Sequence, residues 1–188
     1  GRGGAILAYG HTGSGKTYTM TGEGEVAPAA GTAAQSRQRR GLVPRALEHL
    51  FRHLDSVAGW RAFVSFVEIY GERAYDLLAG PTSPGSPSRT GARGGGGGVA
   101  ADAWRRPAGS LEIKEDPGGS VSVQGATVVQ VRRVEEALEV LRIGAGGRAR
   151  GDNGVNSASS RSHAIFQVFL DRPQAGGRAA APARLNFV

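Results

Sequence analysis

The 188-residue sequence contains no cysteine, which excludes a disulfide framework and thiolate metal sites and suits a reducing compartment. No apolar run approaches the ~20 residues of a membrane span, and the first residues do not read as a signal peptide. Lysine is nearly missing. Only Lys16 and Lys114 occur, so almost all of the 23 basic residues are arginine. Hydrophobic content, 39%, is somewhat low, while Gly 31 and Pro 9 are high. These excesses gather in two stretches, 22–40 and 79–110, and the rest has ordinary globular composition. The length allows one domain with a sizeable core. The net charge of +7 suits an acidic partner such as nucleic acid, anionic lipid or an acidic protein surface. It equally suits a solvated arginine excess in loops.

One of the two lysines stands in a distinctive place. The apolar run Ala5 to Tyr9 reads as a strand, and Lys16 to Thr21 opens a helix. Between them lies Gly10-His11-Thr12-Gly13-Ser14-Gly15-Lys16-Thr17, which fits G-x-x-x-x-G-K-[ST], the phosphate-binding loop of nucleoside triphosphatases. The spacing has a physical cause: glycines without Cβ let backbone N–H groups turn inward onto phosphate oxygens, and the helix start adds its positive dipole end. Lys16 then reaches the β- and γ-phosphates and the Thr17 hydroxyl holds Mg²⁺. The candidate nucleotide-binding set is Gly10, His11, Thr12, Gly13, Ser14, Gly15, Lys16, Thr17 and Tyr18. Without the strand–turn–helix setting, the same residues would read as a glycine-rich turn.

Downstream, the stretch 22–40 loses periodicity and reads as an insertion. Leu47, Leu50, Phe51 and Leu54 then recur at helical spacing behind Pro44. His49 and His53 lie beside that stripe; no third ligand accompanies them, so neither is assigned a metal. Trp60 to Tyr70 is nearly continuous in apolar character, as a strand covered on both faces should be. Gly71 to Leu78 reads as a short helical turn. The stretch 79–110, with Gly94 to Gly98 and Pro81, Pro84 and Pro87, reads as a low-complexity insert expected to be disordered. Leu111–Glu115 and Val121–Gln124 flank a turn sequence, Thr127–Val131 continues extended, and Val134, Ala137, Leu138 and Leu141 mark a helix ending near Gly144 to Gly147. Its start carries no Ser, Thr, Asp or Asn cap.

A second chemical stretch, Arg148 to Phe166, carries Asn156-Ser157-Ala158-Ser159-Ser160-Arg161-Ser162-His163 ahead of the strand Ala164–Leu170. Serine oxygens beside an arginine suit a γ-phosphate and Mg²⁺ sensor, since serine can coordinate the ion and arginine can grip a carboxylate. Taken alone, the stretch also reads as an ordinary polar loop. Arg184 to Val188 begins another strand.

Together and in this order, the two stretches resemble the kinesin motor domain. The family's loop, A-Y-G-Q-T-x-S-G-K-T, is approached by Ala8 to Thr17, and its first switch, N-x-x-S-S-R-S-H, is matched at Asn156, Ser159, Ser160, Arg161, Ser162 and His163. Gly41-Leu42-Val43-Pro44-Arg45 is similar to the family's G-I-[IV]-P-R, and Val67-Glu68-Ile69-Tyr70 with Asp76-Leu77-Leu78 to its E-I-Y-N-E…D-L-L. Myosin shares the loop and N-x-x-S-S-R, but continues F-G where this chain has Ser162-His163. The resemblance implies an α/β fold, a mixed central sheet of the phosphate-loop NTPase type with helices on both faces. It implies ATP hydrolysis, with ATP and Mg²⁺ bound, coupled to movement along or remodelling of microtubules in the cytoplasm and cytoskeleton. Thr17 and Ser160 would hold Mg²⁺, Asn156 and Ser159 would position the γ-phosphate and attacking water, and Arg161 would clasp a glutamate of a second switch. The segment around Asp116 to Ser120 resembles a hairpin that touches tubulin in this family.

Departures from the family pattern are His11 for Gln, Gly71 for Asn and Gly154 for Asn. The sequence ends at Val188, where the family continues D-L-A-G-S-E, so the expectation is an internal fragment, about half a motor, spanning 1–188. Such a piece would lack the second switch, would hydrolyse little alone, and would leave oligomeric state to residues outside it. Two other functions fit in part: a hydrolysis-dead microtubule scaffold, and an unrelated phosphate-loop ATPase that uses its arginines on nucleic acid. Nucleic acid is not the partner that Ser162-His163 and the Glu68-Ile69-Tyr70 strand imply.

Overall fold

The computed structural model describes residues 3–23, 39–79, 111–117, 119, 121–150, 162–171 and 182–188. Along the chain run β1 (Gly3–Ile6), α1 (Lys16–Thr21), α2 (Leu42–Leu54), β2 (Arg61–Tyr70), β3 (Arg73–Asp76), β4 (Glu112–Glu115), β5 (Val121–Gln124), β6 (Val129–Val131), α3 (Val134–Arg150), β7 (Ser162–Asp171) and β8 (Ala183–Phe187). Six strands form one mixed sheet in the order β1-β8-β7-β2-β3, with β6 also paired to β2. β1 and β8 run parallel, and every other neighbouring pair is antiparallel. The β4–β5 pair stands apart as a two-stranded hairpin.

The long β2–β7 pairing, Arg61 with Asp171 through to Tyr70 with Ser162, is the spine of the sheet. β2 buries five consecutive residues, Val64 to Glu68, as a strand covered on both faces does. Ala62, Val64 and Phe66 share one core with Phe166, Val168 and Phe187 of the neighbouring strands, and with Met20, Val43, Leu47, Phe51, Ala137 and Leu141 from the three described helices. Phe66 meets Phe166 edge-on, ring centroids 5.4 Å apart, the arrangement aromatic quadrupoles favour. On the alternate residues of the same strands lies a polar row. Ser65 Oγ donates to Gln167 Oε1 at 3.2 Å, and Gln167 Nε2 donates to Asn186 Oδ1 at 3.1 Å. Those bonds join β2, β7 and β8 and fix their register.

In α2 the expected stripe packs on the core, with Leu47 and Phe51 enclosed, Leu50 and Leu54 half-buried, and Val43 and Pro44 buried at its start. Two expectations are corrected. Gly71 to Leu78 is not a helical turn. Arg73–Asp76 is strand β3, turned back onto β2 through Gly71 (φ 55°) and Glu72 (φ 63°). Two central residues at positive φ match the twist of an antiparallel pair, as a two-residue hairpin requires. Asp76 then secures the exit, its carboxylate accepting N–H bonds from Leu78 (2.8 Å) and Thr127 (2.7 Å). The second correction concerns α3, which runs to Arg150 rather than stopping at Gly144 to Gly147. A Cβ on Gly144 would lie 2.2 Å from Phe66 Cδ1. That glycine lets the helix approach the sheet, and packing outweighs its poor helix propensity. The uncapped start of α3 is satisfied from within, where Glu136 Oε2 accepts the Arg132 N–H at 2.8 Å.

Candidate functional site

The topology brings the glycine loop and the described ends of the second chemical stretch to one end of the sheet. β1 and β8 are parallel, so their carboxyl ends lie together, and β7, antiparallel to β8, begins at that same end. β2 is antiparallel to β7 and therefore finishes there too. The carboxyl end of parallel strands is where α/β sheets hold ligands.

β1 leads directly into the glycine loop. Beyond Ile6 the pairing with β8 continues: Val188 N–H donates to the Ile6 carbonyl and Ala8 N–H to the Val188 carbonyl, each at 2.9 Å. The loop then turns through Gly13 (φ 80°) and Gly15 (φ 88°), a conformation other residues adopt only with strain. Ser14 N–H closes a turn on the His11 carbonyl at 3.2 Å, and Thr19 N–H on the Gly15 carbonyl (2.8 Å) starts α1. No side chain caps that helix start. Lys16 reaches back across the loop, its Nζ donating to the carbonyls of Gly10 (2.7 Å) and His11 (2.8 Å). The ammonium is thereby held inside the curve of the loop, where an anion entering it would meet the charge. Thr17 and Tyr18 are exposed on the first turn of α1.

A cavity of about 190 Å³ opens beside this loop. Lys16, Thr17, Arg148, Ser162 and His163 supply polar groups to its lining, and Phe66, Leu141 and Phe166 are among its apolar residues. Lys16 and Thr17 therefore share one site with residues far along the sequence, Arg148, Ser162 and His163. Glu68, fully buried near the end of β2, stands behind it: Ser162 Oγ donates to Glu68 Oε1 at 2.6 Å, and Arg148 Nε to the same oxygen at 3.2 Å.

Of the residues expected from sequence, Gly10 to Tyr18 form the loop and helix start described above. Asn156, Ser159, Ser160 and Arg161 lie outside the described residues, as do 24–38 and 80–110 of the two inserts. Their flanks, Arg148 and Ser162, do reach the cavity. Among the described residues no three His, Cys, Asp or Glu side chains cluster to hold a metal. Mg²⁺ bound through a threonine hydroxyl and phosphate oxygens does not need such a cluster. His49 and His53 are exposed on α2. Sequence reasoning gave Glu68 and Arg148 no role. The one available signal was an acidic residue in an otherwise apolar strand, which calls for a buried partner.

Comparison with known proteins follows the same line. A family model described as the kinesin motor domain matches residues 1–188. Kinesin-like protein KLP1 of Chlamydomonas reinhardtii is 36% identical over 189 residues, covering 98% of this chain and 20% of its own length. Kinesin-like protein KIN-4B of Arabidopsis thaliana is 38% identical over 170 residues, 89% of this chain and 14% of its own length. A solved structure described as that of a fast kinesin, with implications for ATPase mechanism and interactions with microtubules, aligns over all of this chain and 44% of its own. It does so with a TM-score of 0.69 and 30% identity. The chain thus spans a fifth or less of these two curated relatives.

Proposed function

This chain belongs to the kinesin motor domain family, and from that premise we propose that it serves ATP hydrolysis coupled to movement along microtubules. The observation that carries the proposal is the shared cavity, lined by Lys16 and Thr17 and by Ser162 and His163, at the carboxyl end of β1 and β8. The fit to a triphosphate is chemical. The loop presents glycines at positive φ, backbone amides and an inward ammonium, and each of these favours an anion.

In this reading Gly10 to Thr17 cradle the β- and γ-phosphates, and the exposed ring of Tyr18 offers a flat face to the nucleotide. Mg²⁺, when bound, neutralises charge that develops on the phosphate oxygens, and Thr17 and Ser160 are the residues that would hold it. Asn156 and Ser159 orient the γ-phosphate and a water, and Arg161 grips a carboxylate across the site. No covalent step is asked of the protein; positioning and electrostatic stabilisation do the chemistry. The β4–β5 hairpin, with Ile113 and Val121 half exposed, is the surface proposed to meet tubulin. Cytoplasmic microtubules are then the place of work.

The test is nucleotide binding by the full-length protein. A fluorescent ATP analogue should bind in a Mg²⁺-dependent manner and be displaced by ATP. Binding without any dependence on Lys16 would remove the loop from the mechanism.

A further inference from the structure

Glu68 is the one acidic residue of β2, and it is 0% exposed. A carboxylate taken wholly out of water is costly unless it is paired and hydrogen-bonded. Here the pairing is concentrated on one oxygen. Oε1 accepts from Ser162 Oγ at 2.6 Å and from Arg148 Nε at 3.2 Å, while Arg148 Nη2 donates to Ser162 Oγ at 3.2 Å. Among the described residues nothing donates to the other oxygen, Oε2, which is also buried. A buried acceptor left unsatisfied is a poor device for stability, and such groups call for another explanation.

The position of the two partners in the chain supplies one. Arg148 lies in the last turn of α3 and Ser162 is the first residue of β7. Between them the chain carries Asn156, Ser159, Ser160 and Arg161. Both partners also line the cavity that contains Lys16 and Thr17. We propose that Glu68 is a positioning residue for hydrolysis: its buried carboxylate joins the end of α3 to the start of β7 and so sets where the span between them begins and ends relative to the phosphate loop. A carboxylate suits this task better than an amide, because its charge strengthens the bond to the guanidinium while it still accepts from the hydroxyl.

This inference rests on the reading of the cavity as a triphosphate site. Affinity for the nucleotide resides in Gly10 to Thr17, which Glu68 does not touch. Loss of the carboxylate should therefore fall on turnover rather than on KM, because misplacing a group that acts in the transition state lowers kcat.

The experiment measures steady-state ATP turnover by full-length wild type, Glu68→Gln, Ser162→Ala and the double variant Glu68→Gln/Arg148→Gln, together with melting temperatures. Glu68→Gln should lower kcat about tenfold to a hundredfold with KM within about twofold. The double variant removes both charges and should regain melting temperature lost in Glu68→Gln, while its kcat stays low. A purely structural carboxylate would instead show kcat recovering together with melting temperature. That result, or a folded Glu68→Gln with wild-type kcat, overturns the inference. Should Glu68→Gln fail to fold, Ser162→Ala decides: reduced kcat at unchanged KM supports the proposal, and wild-type kcat overturns it. Failure of the functional reading is distinct, because wild type itself would then show no ATP turnover.

Discussion

At the scale of single residues, Lys16 and Gly144 give the sharpest expectations. Lys16 places its ammonium within the loop by holding the Gly10 and His11 carbonyls. Lys16→Ala should leave the fold intact, because the residue lies at the surface end of the sheet. It should weaken triphosphate binding by about tenfold or more, as expected for a charge-assisted contact worth roughly 1.5–3 kcal/mol, which isothermal titration would measure. Gly144 is a matter of space: its hydrogen is all that fits beside Phe66. Gly144→Ala should destabilise by about 1–3 kcal/mol, the usual cost of overpacking, seen as a lower melting temperature. Replacing Phe66 by Leu in that background should recover part of the loss. The loop was legible because its chemistry is local, eight consecutive residues. Gly144 was misread for the opposite reason: propensity marks glycine as a helix end, and the ring that overrides it lies far away in sequence. Glu68 interrupts an apolar strand, but its partner Arg148, 80 positions away, cannot be named from spacing alone.

At the scale of elements, the helix starts and strand reversals show how local chemistry settles each boundary. α3 begins without a conventional cap because Glu136 supplies one. Its carboxyl is held below the ordinary value of 4.5 chiefly by the Arg132 N–H, with desolvation opposing and the neighbouring Arg133 adding to the lowering. Glu139 is likewise lowered, chiefly by its bond with Arg142. A carboxylate with a depressed folded pKa stabilises the fold at pH above its unfolded value and loses that contribution as pH falls through the folded value. Melting temperatures of wild type and Glu136→Gln should therefore differ at pH 7 and converge as the pH drops below about 4.5. A constant gap across that range would show that Glu136 acts by packing alone. Strand β3 was missed because Arg73–Asp76 is too short to show period-2 alternation. The decisive signal was the Gly71-Glu72 turn, and glutamate at positive φ is not a residue that turn rules anticipate. The strands Trp60–Tyr70 and Ala164–Leu170 were plain from their long apolar runs, and α2 from the helical spacing of its apolar residues.

At the scale of the whole molecule, topology assembles the site. Parallel β1 and β8, with β7 and β2 antiparallel beyond them, bring four element ends to one place. No single motif dictates that convergence. The order of the glycine loop and the serine–arginine stretch implied it only through resemblance, and the cavity lined by Lys16, Thr17, Ser162 and His163 joins the loop to the described flank of that stretch. The basic composition, +7 overall, is in keeping with an acidic polymer as partner, whose long-range attraction should weaken with salt. The most direct measurement is ATP turnover by the full-length protein as microtubules are titrated in at low ionic strength, with Lys16→Ala as control. Turnover should rise and saturate with microtubule concentration and be lost in Lys16→Ala. Microtubule binding with no stimulated turnover, or turnover that Lys16→Ala leaves unchanged, would contradict the proposed function.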